Sequence, residues 1–352
     1  MGLTRPCYCT REDVRGATDF KESARNSAQI DRALQSAADK IDGFTHRRFY
    51  PQLATRVFDW PNYQHAAPWR LWLNQHEVIS VTVLTSGGIV IPANQYFLEP
   101  ANSGPPFTHI ELDRSSAAAF TAGATPQHAI SVTGLWGYTA AAVSAGTLAA
   151  AMSDTTGTSA TVTDSSSAGV GDSLLIDAER LLVTGRAMIT TGQAQQGAGA
   201  GTAVASDVAL TVTDGTKYFS GETLLLDSER MLIVDIAANV LTVKRAWDGS
   251  VLATHAAATI FAPRLLTVTR GALGTTAATH LNAAPVSRHA PPSLIRDLAV
   301  AEACNQVLQE TAGYALVIGE GASIHQISGA GLAELWDEVI TVFGRSARRR
   351  TV

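Results

Sequence analysis

Two short blocks hold most of the residues whose types and spacing could do chemistry. Gly171-Asp-Ser-Leu-Leu-Ile-Asp-Ala-Glu-Arg180 recurs as Gly221-Glu-Thr-Leu-Leu-Leu-Asp-Ser-Glu-Arg230, and Thr161-Val-Thr-Asp164 recurs as Thr211-Val-Thr-Asp214, both at an offset of 50 without a gap. A second repeat, at an offset of 25, matches Leu241-Thr-Val-Lys-Arg245 and Ala253-Thr-His255 to Leu266-Thr-Val-Thr-Arg270 and Ala278-Thr-His280. One copy thus supplies Asp177, Glu179, Arg180, Arg270 and His280, and the other Asp227, Glu229, Arg230, Arg245 and His255. Such residues, if gathered, could relay a proton or hold a metal ion. They could equally be fixed turn and ion-pair positions that specify the fold of a small module. The second reading is favoured, because duplicated structure keeps its folding residues while two identical active centres in one region would be unusual.

Other chemical signals are weak. Gly171-Asp172-Ser173-Leu174 spells a serine-esterase motif, but the sister copy reads Gly221-Glu222-Thr223-Leu224 and drops the serine. No Asp-x-x-His pair follows near the C-terminus to serve as base and orienter. Gly197-Ala-Gly-Ala-Gly201 lacks the Lys-Ser/Thr of a phosphate loop. The histidines show no i, i+4 pair and no H-E-x-x-H. No catalytic residue, metal ligand or cofactor is assigned, and the chain is not expected to be an enzyme.

The elements that must position these residues follow from periodicity. A module with a front half (TVTD…G-x-x-LL-x-D-x-ER) and a back half (LTV-x-R…G…A-T-H) explains both offsets. Residues 206–265 form one complete copy, and the other copy is split into 161–190 and 266–289, so the second module is nested inside the first. Alternating apolar residues make both copies β. The Gly192–Ala205 segment has linker composition. Before this region, Thr10 and Asp13 form a capping box opening a short helix, and Ile30, Leu34, Ala37, Ile41 and Phe44 trace the stripe of a second. Strands are expected at 56–60, 70–73, 78–85, 89–91, 96–99, 109–112 and 130–135, with Gly87-Gly88 as a hairpin turn. Helical patterning returns after Pro291-Pro292, with Leu294, Leu298, Ala301, Val307 and Leu308 on one helix, and ends in a short helix near 331–343 carrying Trp336. The expected fold class is α+β: a helical adaptor core with a β-sheet section over residues 1–146 and 290–352, plus an inserted all-β region over 147–289.

Composition bounds the partners. The chain has 352 residues, a net charge of -5 and only 16% charged residues, which argues against a surface that grips nucleic acid throughout. Its 46% hydrophobic content excludes a disordered chain. No signal peptide or spanning segment is read, so no membrane is expected. Cys7, Cys9 and Cys304 are too few and too oddly spaced for a disulfide framework, and are expected as reduced thiols with Cys304 buried in a helix. Trp60, Trp69 and Trp72 fall close together and are read as core or subunit-interface packing rather than a binding platform.

Outside the repeats, the order of several pieces resembles the head–tail connector (adaptor) family of long-tailed bacteriophages. The pieces are Tyr8-Cys-Thr-Arg-Glu-Asp-Val14, then Ala28-Gln-Ile-Asp-Arg-Ala-Leu34 running to Phe44-Thr-His-Arg-Arg-Phe-Tyr-Pro51, then Glu77-Val-Ile-Ser-Val-Thr-Val-Leu84 with Tyr96-Phe-Leu98. Ile130-Ser-Val-Thr-Gly-Leu-Trp-Gly-Tyr138 and Pro291-Pro-Ser-Leu-Ile-Arg-Asp-Leu298 complete the series. The resemblance implies a virion protein of the neck, assembled in the host cytoplasm into a homo-oligomeric ring, usually twelve-fold, beneath the portal protein. It implies docking of the next neck protein (stopper) or tail terminator, and double-stranded DNA passing through the lumen without sequence-specific binding. Trp336, Arg345, Arg348, Arg349 and Arg350 are the docking candidates on portal or neck, and the Trp60/Trp69/Trp72 group the subunit-interface candidates. A tail-fibre, baseplate or other decoration protein with β binding modules is the alternative. The family pattern has only a short connection where residues 147–289 lie, so the role of that region is not implied.

Overall fold

A computed structural model describes residues 2–18, 24–61, 67–197, 204–311, 317–318, 325–326 and 330–345. Its helices are α1 (Arg11–Thr18), α2 (Ala24–Thr45), α3 (Ser293–Thr311) and α4 (Ala330–Phe343). Strands run β1 (Gln52–Phe58), β2 (Arg70–Trp72), β3 (Val78–Ser86), β4 (Ile89–Ile91), β5 (Tyr96–Glu99), β6 (His109–Leu112), β7 (Ile130–Trp136), β8 (Ala142–Thr147), β9 (Ser159–Thr161) and β10 (Ser173–Ile176). They continue with β11 (Glu179–Ala194), β12 (Ala209–Thr211), β13 (Thr223–Leu226), β14 (Glu229–Ala237), β15 (Val240–Lys244), β16 (Thr259–Thr269), β17 (Pro285–His289), β18 (Val317–Ile318) and β19 (His325–Gln326).

The expected helical adaptor core is not found. Among the described residues 36% are strand and 24% helical, and the architecture is large antiparallel sheets. The helices lie near the ends of the chain and bury stripes of their own, while two apolar clusters are built by strands and their loops. One gathers Phe58, Leu71, Val78, Leu84, Ile110, Val132 and Trp136, the other Leu210, Leu224, Met231, Ile233, Leu241 and Ile260. A helix buries one stripe, whereas two alternating sheets can enclose a core between them.

Contacts divide the chain into two compact units: Met1–Asp39, Ala142–Ala272 and Thr276–Asp337 form the first, and Lys40–Ala141, Leu273–Thr275 and Glu338–Val352 the second. The second unit carries a four-stranded sheet in the order β1-β7-β3-β4 and a three-stranded sheet β2-β6-β5. Its β3–β4 turn needs the two glycines: Gly87 and Gly88 have φ of +56° and +84°, and a Cβ on Gly87 would stand 2.2 Å from Thr121 Oγ1. Phe49, Tyr138 and Phe343 meet in this unit with ring centroids 5.2–5.5 Å apart.

The first unit is dominated by a ten-stranded sheet, β12-β15-β14-β13-β16-β11-β10-β17-β8, with β9 paired to β16. It contains one five-strand pattern twice. In one copy β12 pairs β15, β15 pairs β14, β14 pairs β13 and β13 pairs the start of β16. In the other, β9 pairs the end of β16, which pairs β11, which pairs β10, which pairs β17. The correspondence reaches individual residues: Leu232↔Lys244 and Asp235↔Thr242 become Leu182↔Thr269 and Gly185↔Thr267, with the same bulge in between. Only the last pairing slips. Leu225 faces Phe261, but its counterpart Leu175 faces Ser287, one residue beyond the offset, where β17 and β8 carry an irregularity at Pro285/Ser287. β16 serves both copies, and β11 runs on so that Ala194 pairs Thr259 at the entry and exit of the nested module.

The N-terminal segment lies along the split module. Cys7 and Arg11 amides donate to the carbonyls of Gly171 and Val170, and Glu12 accepts from the Val170 amide. α1 opens on the expected reciprocal cap, with Thr10 N to Asp13 Oδ2 at 3.0 Å and Asp13 N to Thr10 Oγ1 at 3.1 Å. On α2 the buried stripe is Ile30, Leu34, Ala37 and Ile41, but it continues to Thr45 while Phe44 is 62% exposed. On α3 it is Ile295, Leu298, Ala299, Ala303 and Val307, one position off the expected Leu294 and Leu308.

Candidate functional site

The repeated polar residues converge on one arrangement, built twice. A two-residue turn joins β13 to β14 and another joins β10 to β11. Each starts with an aspartate in the left-handed region, Asp227 at φ +50° and Asp177 at +51°, a conformation this short side chain tolerates. The glutamate that opens the next strand, Glu229 or Glu179, is fully buried. An arginine one residue past the end of a neighbouring strand reaches it with two parallel bonds: Arg245 Nε and Nη2 at 2.7 Å each, and Arg270 Nε and Nη2 at 2.8 Å each. Backbone amides complete the shell, Ala246 and Ala253 on Glu229 at 2.9 Å, Gly271 and Ala278 on Glu179 at 2.8 and 2.9 Å.

The histidine closes the arrangement. His255 Nε2 lies 3.0 Å from Glu229 and its Nδ1 2.7 Å from Asp227; His280 Nε2 lies 2.9 Å from Glu179 and its Nδ1 2.8 Å from Asp177. Both ring nitrogens face acceptor-only carboxylates, so the ring serves both only when each nitrogen carries a hydrogen. Burial alone would raise the glutamate carboxyls. The arginine, two amides and histidine outweigh it and hold Glu179 and Glu229 down to about 2.

This geometry decides what the cluster can do. Each buried carboxylate accepts from five donors, and its guanidinium also donates to a backbone carbonyl, that of Ala253 or Ala278. No lone pair of the glutamate is left facing solvent. Among the described residues no group of three or more His, Cys, Asp or Glu is arranged to hold a metal ion. The two arrangements are polar staples that tie a turn, a strand start and the loop after a neighbouring strand.

Arg180 and Arg230 do not join them. Successive strand residues point to opposite faces, so each arginine leaves on the far side from its neighbouring glutamate. Arg230 instead faces Asp248 at 3.8 Å, and burial lowers the basicity of both arginines. A strong pair that sequence reasoning passed over is Arg264–Glu222, two bonds of 2.8 Å with Ser165 Oγ adding a third at 2.6 Å. The repeat gave no clean signal for it: Glu222 aligns with Asp172, but the offset of 25 carries Arg264 to His289, whereas Asp172 meets Arg288 at 3.8 Å.

The remaining candidates are dispersed. Trp60 is 3% exposed against Phe120, and Trp69 lies against the same core with Arg114 over its ring. Trp72 is half-buried, its ring tilted 37° against His109 with centroids 4.3 Å apart. Trp336 donates to the buried Glu302 at 3.2 Å. Arg345 is tied down within its own unit, its amide to Thr45 O at 3.2 Å, Nη2 to Asn74 O at 3.1 Å and Nε 3.8 Å from Glu77. Arg348, Arg349 and Arg350 lie outside the described residues. Cys7 and Cys9 are buried free thiols, and Cys304 on α3 is half-buried rather than buried. No helix among the described residues is long and apolar enough to cross a membrane. No protein-family model, curated protein or solved structure matches the chain.

Proposed function

We propose that the chain is a structural protein of a phage neck, a head-to-tail adaptor that docks on the portal protein and receives the next neck or tail protein. The observation that carries this reading is the cluster of Phe49, Tyr138 and Phe343. Phe49 belongs to the Arg-Arg-Phe-Tyr-Pro piece of the resemblance and Tyr138 to its Gly-Leu-Trp-Gly-Tyr piece, and the final helix supplies Phe343. Two of the five pieces, far apart along the chain, thus meet in one packed centre. In this reading the body is β-dominated, the protein acts as a homo-oligomeric ring in the virion, and the twin modules are an elaboration held rigid by their staples.

The test is binding to the portal ring encoded in the same genome, followed by mass photometry and negative-stain imaging. The reading expects a defined increment close to twelve chains on one end of the portal. Absence of binding to intact portal rings overturns it, and attachment of the chain to purified tails or fibres instead would favour the decoration reading.

A further inference from the structure

The second unit carries a concentration of positive charge that the repeats do not use and of which the neck reading uses only Arg345. Arg47 and Arg48 follow the end of α2, Arg56 lies on β1, and Arg345 follows α4. They surround the consecutive residues His76 and Glu77. Arg47 Nη1 stands 3.5 Å and Arg345 Nε 3.8 Å from the Glu77 carboxylate, and Arg56 Nη1 lies 3.4 Å from His76 Nε2. Among the described residues the Arg48 side chain reaches only the neutral Gln52, at 3.2 Å.

The balance of charge is lopsided. The charged groups acting on Glu77 are Arg47 and Arg345, the one acting on Arg56 is Arg48, and those acting on His76 are Arg56, Arg48 and Arg345. Arg47 and Arg345 share the Glu77 carboxylate, and among the described residues Arg48 and Arg56 have no ion pair. The effect registers on His76, whose pKa is pushed down to about 4 by burial and then by three arginines. The carbonyl end of α2 offsets only about half a charge. Two of the guanidiniums are also held in place: Arg47 lies over the Tyr138 ring at 5.0 Å and Arg56 over Trp136 at 5.1 Å. Their Nε atoms are buried with no hydrogen-bond partner, and a guanidinium stacked on an aromatic face can present its remaining N–H groups to a planar or tetrahedral oxyanion.

We propose that Arg47, Arg48, Arg56 and Arg345 form a binding site for phosphate oxyanions, read by charge and guanidinium geometry and not by base sequence. The phosphate can come from a nucleic-acid backbone or from a free phosphate compound. The inference does not rest on the neck reading, because it is tested on the isolated chain.

The experiment titrates the full chain with a fluorescein-labelled DNA duplex by anisotropy at low salt, and separately with inorganic pyrophosphate by calorimetry. Variants are Arg48→Ala, Arg56→Ala and Arg48→Glu. The control is Arg32→Ala, which removes an exposed arginine of the first unit that pairs with Glu310. Arg48 is exposed and among the described residues its one side-chain partner is the neutral Gln52, so its removal leaves the fold intact, which thermal melting checks. For a backbone source, Arg48→Ala weakens duplex binding about 10-fold and reduces the salt slope by about one, the value of one lost phosphate contact. For a free-phosphate source, pyrophosphate binds and the duplex does not, with the same dependence on Arg48 and Arg56. Binding of neither probe, or an equal loss with Arg32→Ala, overturns the proposal.

Discussion

His255 and His280 occupy one position in two copies of a module, each with Nε2 within 3.0 Å of a fully buried glutamate and Nδ1 within 2.8 Å of a turn aspartate. The equivalence makes each copy a control for the other.

Glu179→Gln and Glu229→Gln should each destabilise the chain by about 3 kcal/mol, because each leaves a buried guanidinium without its counter-charge. Asp177→Asn and Asp227→Asn should cost under about 1 kcal/mol, since those carboxylates are 61% and 60% exposed and Asn accepts the same backbone angles. Urea unfolding of the four single variants checks both the size and the pairing of the effects.

The same glutamates set an acid limit. Their folded pKa values, about 2, lie below the ordinary 4.5. Their stabilisation is therefore complete above pH 4.5 and is lost as pH falls from there toward 2. Urea midpoints at pH 5 and pH 3 should differ strongly for the native chain and less for the double variant Glu179→Gln/Glu229→Gln.

Asp172 should behave in the opposite way. Burial pushes its carboxyl up to about 7 from 3.8, against the opposing pull of Arg288 and the Gly169 amide. The folded state disfavours its charged form, so the penalty is absent below pH 3.8, grows between there and 7, and is complete above 7. Asp172→Asn is expected to raise the melting temperature at pH 8 and to change it little at pH 4.

The three thiols should be unreactive in the native chain. Burial raises Cys7 to about 12 and Cys304 to about 11, and Cys9 is raised well above its ordinary value by the same cause. Little thiolate forms at pH 8. Modification with a chromogenic disulfide should be slow in buffer and reach three thiols per chain in denaturant; fast native labelling would contradict the burial.

The strands of the second unit were legible as short apolar runs bounded by turn residues, alternating clearly in β6: β4, β5 and β6 begin and end where the sequence puts them. The nesting was legible because a gapless repeat carries its own register. The dominance of β structure was not. Amphipathic patterning marks a helix wherever one face is covered, and it does not say whether other helices or a sheet do the covering. Arg345 illustrates a second limit: among four arginines in six residues it reads as a docking residue of a basic tail, yet Glu77 and the Asn74 carbonyl, remote in sequence, hold it. The staples lay between. The repeat exposed their members, but only the strand faces separate Glu179, which enters the staple, from Arg180, which does not.

The pairing of Ala194 with Thr259 has a consequence for how such a chain arises. The nested copy departs and returns at neighbouring points of two paired strands, about 5 Å apart as in any antiparallel ladder. A tight turn could therefore replace it while the surrounding copy keeps every strand. Segments with that geometry behave as cassettes: a gene can acquire, lose or exchange one in a single event, and its sequence can drift toward a new task while the original copy maintains the frame.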